Sequence, residues 1–116
     1  MVEIPDGFDS YAVVILRRPE DAPALGEAEA EALQQRHQAH IMSLIRSGAA
    51  YAGGPLLDHS NPALRGLMIF RVPLDEARGL AAEDPAVRAG QLVADSFTWW
   101  FPGGLLDFDR PREPVD

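Results

Sequence analysis

Two histidines three residues apart, in Arg36-His37-Gln38-Ala39-His40, are the side chains with most chemical potential in this sequence. An imidazole ordinarily titrates close to neutrality, which suits it to taking or giving a proton. Spacing of three on a helix would also let both rings approach one metal ion, with Asp58 or His59 as further ligands. Two ligands at that spacing are a weak metal signal, and no metal site is assigned. The chain has no cysteine and no lysine, which removes thiolate nucleophiles, disulfides, sulfur-bound metals and Schiff bases together. What remains for chemistry is histidine, carboxylate, tyrosine, serine and arginine.

The element that positions His37 is a long helix read over 28–47, rich in Ala, Glu, Gln and Leu, with Glu27, Glu29 and Glu31 early and Arg46 late, as the helix dipole prefers. At about 100° per residue, Ala30, Leu33, His37, Ile41 and Leu44 share one stripe. An imidazole thus stands where a leucine is expected, between helix and core. It is either a general base or a core histidine satisfied by a backbone carbonyl. His40 falls about 60° from the stripe and reads as a boundary residue. Gly48 supplies the left-handed stop. Beyond it, Gly53-Gly54-Pro55 could bring backbone N–H groups of its glycines to a substrate oxygen, with Gly54 and Pro55 as candidate substrate-binding residues, or simply leave a strand sharply; it lacks the following helix that a phosphate-cradling loop requires. Tyr51, Arg71 and Ser96 could line the same cavity, and each reads equally well as a strand residue without a role in chemistry.

Around that helix, Tyr11–Leu16, Ala49–Gly53, Leu67–Val72 and Leu92–Phe101 read as strands, with a long hairpin loop over 56–65. A second helix opens at Pro73 and breaks at Glu83-Asp84-Pro85. Asp84 before Pro85 is an N-cap and first-position pair, starting a further turn that stops at Gly90. Residues 1–10 read as a flexible lead-in, 11–101 as the domain, and 102–116 as a tail whose Leu105, Leu106 and Phe108 could dock. The order strand, helix, strand, strand, helix, strand is the α+β, ferredoxin-like βαββαβ arrangement, a four-stranded antiparallel sheet with helices on one face. The first and third strands are apolar on both faces, so the second face needs a cover, and a second copy stacked sheet on sheet is the simplest. Trp99-Trp100-Phe101 reads as core and dimer contact, in preference to an aromatic platform for substrate.

A chain of 116 residues holds one domain, and 47% hydrophobic with 24% charged residues is ordinary for a folded one. Net charge is −8, and the ten arginines are scattered along the chain. An acidic surface without a basic stripe disfavours nucleic acid and anionic membrane surfaces as partners. The start, Met1-Val2-Glu3-Ile4-Pro5-Asp6, has neither a basic opening nor an apolar run, which predicts no signal peptide and a cytoplasmic protein.

The pattern resembles the YCII-related domain family of the dimeric α/β-barrel superfamily. The residues that carry the resemblance are His37 followed by Gly48, Gly54-Pro55-Leu56, Gly66 before an apolar strand, Asp75-Glu76-Ala77, Asp84-Pro85 with Ala89-Gly90, and Trp99-Trp100 in the last strand. The resemblance spans roughly 11–101. It implies a ferredoxin-like protomer, a homodimer through facing sheets, and a pocket lined by a histidine and an aspartate, here His37 and Asp84. Asp84 would hold the imidazole with one oxygen while the other caps the turn that follows. Relatives include an enzyme that removes hydrogen chloride from a chlorinated hydroxyquinol and, more distantly, muconolactone isomerase. The resemblance therefore implies a cofactor-independent lyase or isomerase acting on a small cyclic or phenolic metabolite. The alternative is a non-catalytic module of the same fold that binds a small ligand or another protein; a third class is oxygen-dependent monooxygenation or haem chemistry, found elsewhere in the superfamily.

Overall fold

Unbroken apolar, β-branched runs favour the sheet, and the computed structural model, which describes residues 4–58, 60–106 and 108, shows where each parity goes. The elements are β1 (Phe8–Arg17), α1 (Glu27–Arg46), β2 (Ala50–Pro55), β3 (Leu64–Phe70), α2 (Leu74–Ala82), α3 (Pro85–Arg88) and β4 (Val93–Pro102). The four strands form one antiparallel sheet in the order β2-β3-β1-β4. This is the ferredoxin-like α+β arrangement. Among the described residues no helix is long and apolar enough to cross a membrane.

One face of the sheet carries Ala12, Val14 and Leu16 of β1 with Met68 and Phe70 of β3, and these pack beneath Leu44 of α1 and Ala77 and Ala81 of α2. α1 lies over β2, whereas α2 lies over β1 and β4. Small residues on α2 let its backbone approach the sheet closely, so Ala77 and Ala81 are almost fully buried. Gly48 and Gly90, both with positive φ, stand just after α1 and α3. Gly26 precedes α1 without any side-chain cap, and the early glutamates Glu27 and Glu29 supply the favourable charge instead.

Three sequence-based expectations change. β1 begins at Phe8, because Phe8, Asp9 and Ser10 pair with Pro102, Phe101 and Trp100, so residues 8–10 belong to the sheet and not to a lead-in. β3 runs from Leu64 to Phe70, earlier than 67–72, and Arg71 has left the ladder to bond Ala49 through its amide. Gly53-Gly54-Pro55 does not leave β2 but completes it. β2 is an edge strand, where a proline's missing N–H is tolerated. Met1 to Glu3, His59, Asp107 and 109–116 lie outside the described residues, and with them one proposed metal ligand and most of the tail.

The opposite sheet face carries Tyr11, Val13 and Ile15 with their cross-strand partners Trp99, Phe97 and Ile69. Phe97 and Trp99 are 49% and 44% exposed. At one end, Tyr11, Tyr51, Phe101 and Phe108 form a ring cluster: Tyr11 stacks on Phe101 at 5.0 Å, and Phe108 stacks on Tyr51 at 4.6 Å. Phe108 is thus docked on the sheet, and Phe101 is buried beneath the cluster.

A bulge between Ala50 and Ala52 shifts the register of β2 by one residue. It turns Gly53 toward α1, where a Cβ would lie 3.2 Å from Met68 Cγ and 3.3 Å from Ile41 Cγ2. Any side chain here requires Met68 and Ile41 to give by a few tenths of an ångström. Gly53→Val should therefore push α1 outward and destabilise the protein by about 1–3 kcal/mol, read as a lower urea midpoint with an unchanged m-value.

Candidate functional site

The break between α2 and α3 is dictated locally. Pro85 cannot continue α2, and Asp84 before it takes the N-cap role, its Oδ1 accepting from Ala86 N–H at 2.9 Å. The corner is folded inward, so Asp84 is only 1% exposed and is the one buried polar or charged residue among those described. A carboxylate removed from water needs donors on both oxygens. The second is His37, whose Nδ1 lies 2.6 Å from Asp84 Oδ2.

A carboxylate only accepts, so Nδ1 is the donor and carries the ring's proton. In the neutral ring Nε2 then keeps its lone pair, and it has no protein partner among the described residues. The His37 side chain is 16% exposed and its partner 2%, which places the ring at the lip of the α1–α3 contact with the acid behind it. The arrangement is that of a base held in one tautomer by a buried acid: it can take a proton through Nε2, and the carboxylate stabilises the imidazolium that results.

His40, one turn on, has its Nε2 2.9 Å from the Leu80 carbonyl, near the end of α2. A carbonyl only accepts, so here Nε2 carries the proton. His40 is committed to the backbone, as a boundary histidine would be. No group of three His, Asp or Glu side chains that could hold a metal occurs among the described residues.

The other candidate residues do not join His37 in one cavity. Ala50 packs among the core residues beneath the helices, so Tyr51 next to it points through the other side of the sheet, against Tyr11 and with the Arg71 guanidinium 4.6 Å from its ring centre. Tyr51 and Arg71 are therefore separated from His37 by the sheet. Gly54 pairs with Leu67 on that same outer face, and it is Gly53 that the bulge turns toward α1. Pro55 is exposed at the end of the edge strand. Ser96 pairs with Val14 on the helix side, in the strand that α2 covers, and its Oγ has no partner among the described residues. Alternation along strands is the physical reason: neighbours in sequence go to opposite faces, and a bulge changes the parity.

His37 does not line either of two cavities formed by the described residues. One, of about 560 Å³, lies between the β1–α1 loop, α2, α3 and the start of β4, with Arg78, Val87 and Leu92 in its walls. The other, of about 210 Å³, lies beside the start of α2, against Ser10, Phe70 and Thr98.

The fold and this pair of side chains define a ferredoxin-like α+β protein with a histidine–aspartate couple at the helix corner. Residues 10–96 match the YCII-related domain family, and the chain belongs to that family. A solved structure that resembles it is the 5-chloro-2-hydroxyhydroquinone dehydrochlorinase of Burkholderia phenoliruptrix in complex with 2,5-dihydroxybenzoquinone. It is 16% identical, with a TM-score of 0.49 and coverage of 77% of this chain and 92% of that one. Comparison with curated proteins returns no match.

Asp84 has two donors to satisfy, and asparagine has a single acceptor oxygen. In Asp84→Asn the amide oxygen should keep the Ala86 cap and turn its NH₂ toward His37, driving the ring proton from Nδ1 to Nε2. Ring ¹⁵N shifts should report that exchange in a protein that remains folded. Asp84→Ala loses both bonds and should cost about 2–4 kcal/mol in a denaturant titration.

Proposed function

We propose that the protein is a cofactor-independent lyase or isomerase in which His37 is the general base and Asp84 its orienting acid. The observation that carries this reading is the 2.6 Å bond from Nδ1 to a buried carboxylate, with Nε2 left unpartnered on a ring that solvent can reach. Nε2 would take a proton from a carbon next to a carbonyl group, and the C–H electron pair would form a C=C bond as the carbonyl π pair moves onto oxygen, giving an enolate. In an elimination the enolate expels an anion. In an isomerisation His37 returns the proton to another carbon. Neither step calls for a bound group beyond the base and its acid. The substrate class, a small cyclic or phenolic metabolite, is carried over from the family resemblance.

The same reading takes the protein as a homodimer that buries its outer sheet face. Phe97 and Trp99, with the half-buried Ile15 beside them, form an apolar surface that one protomer leaves open, and the Arg17–Asp95 pair at 2.7 Å gives its edge a polar mark. Tyr51 and Arg71, on this face, would then contribute to the contact between copies or to a ligand held there, and Gly54 and Pro55 would lie at its edge.

A second reading, a non-catalytic ligand-binding module, is favoured by one specific observation: His37 lines neither cavity. The two readings separate in a ligand screen followed by NMR. Small phenols and lactones that shift the His37 ring signals support catalysis; ligands that shift only Val87 and Leu92 support the module.

His37→Ala should lower kcat by about 10²–10⁴ on any substrate the wild type turns over, and full activity in that variant would remove the assignment. Phe97→Asp should convert a dimer to a monomer in light scattering, while the His37 ring signals stay in place.

A further inference from the structure

His40 has no part in the chemistry above, yet it is tied to the same corner as the reacting pair. His37 and His40 reach from α1 across to Asp84 and Leu80, which are four residues apart around the end of α2. The two bonds form successive rungs between α1 and the α2–α3 corner. The Leu80 carbonyl belongs to the last turn of α2, where the helix offers it no i+4 donor. Apart from His40, its partner is the Glu83 amide at 3.3 Å, a long bond. The imidazole at 2.9 Å is the better-placed of the two donors.

The bonds within the corner do not fix its position along α1. Asp84 is held to its own segment: its amide bonds the Ala81 carbonyl, its Oδ1 takes the Ala86 amide, and its carbonyl takes the Arg88 amide. These bonds set the shape of the turn and say nothing about where the turn sits against His37. α3, a single short turn, packs against α1, but packing between α1 and α2 is slight, so few side-chain contacts fix the end of α2 against α1. A charge-assisted bond of 2.6 Å loses much of its strength with a shift of a few tenths of an ångström.

We propose that His40 is a positioning residue, whose Nε2–H bond to the Leu80 carbonyl sets the register of the α2–α3 corner on α1 and so brings Asp84 onto His37 Nδ1. The proposal deepens the reading of His37 and Asp84 as the working pair, and its readout is the His37 ring itself, so it stands or falls apart from turnover. Loss of activity in His37→Ala tests the function; the following experiment tests His40.

Two polar substitutions differ only in reach. His40→Gln can place a side-chain N–H on the Leu80 carbonyl, and His40→Asn is too short. Both should fold at a boundary position on a helix, to be checked by circular dichroism and melting. Long-range ¹H–¹⁵N spectra of the full chain then report on His37. In wild type and His40→Gln, the Nδ1 proton should be strongly deshielded and Nε2 should bear no proton. In His40→Asn the deshielded signal should be lost or broadened by exchange, and the ring should sample both tautomers. If the Asn variant keeps the wild-type His37 signal, or if Gln loses it as fully as Asn does, the positioning role is overturned. Should a substrate be found, Asn should lower kcat more than it raises KM, with rescue by Gln.

Discussion

A buried carboxylate is the constraint on which this molecule turns. Taking Asp84 out of water costs several kcal/mol unless both oxygens meet donors, and the fold supplies one from its own turn and one from α1. The first donor is local and follows from Asp-Pro at a helix start. The second comes from 47 residues away and requires α1 to lie across the corner at one height and one rotation. Once that is met, the imidazole cannot choose its tautomer, because the acid takes the proton-bearing nitrogen. The orientation of the ring, with Nδ1 on the acid and Nε2 turned away from it, is thus a consequence of solvating a buried charge with protein groups.

The rest of the architecture can be read as what holds α1 in that place. Gly53 lets the helix approach β2, and it faces α1 only because a bulge in β2 shifts the strand's parity. Leu33 and Leu44 are the buried residues of α1, one on each side of His37 along the apolar stripe. Ala30 on the same stripe is exposed, so the stripe is a seam that closes from the middle of the helix toward its C-terminal end. A narrow seam anchors a long helix weakly against rotation. Polar contacts at its edge, those of His37 and His40, then matter more than they would on a broadly buried helix.

The sheet separates two chemistries. On the helix side are the core and the histidine–aspartate couple. On the other are the ring cluster of Tyr11, Tyr51, Phe101 and Phe108, the cation over Tyr51, and the exposed Phe97 and Trp99. The last strand alternates between both, which is why its aromatic end contributes a buried Phe101 and a half-exposed Trp99 to one face, and Trp100 to the other. Residues that are close in the sequence to a catalytic candidate are thereby no guide to what surrounds it.

The order of elements, the stops at Gly48 and Gly90, the Asp84 cap and the apolar seam carrying His37 were legible in the sequence. Each rests on backbone sterics and hydrogen bonds that reach over a few residues, so neighbouring letters suffice to specify them. The two helical covers against four strands, and with them the uncovered sheet face, followed by counting. Tertiary structure alone decided that Phe8 joins the sheet, that Tyr51 and Arg71 turn away from His37, that Gly53 and not Gly54 meets α1, and that His40 is anchored to Leu80. Those outcomes depend on a one-residue bulge, on strand lengths set by the partner strand, and on the height at which one helix crosses another. Such quantities are fixed by packing many distant side chains at once, and no short stretch of sequence contains them.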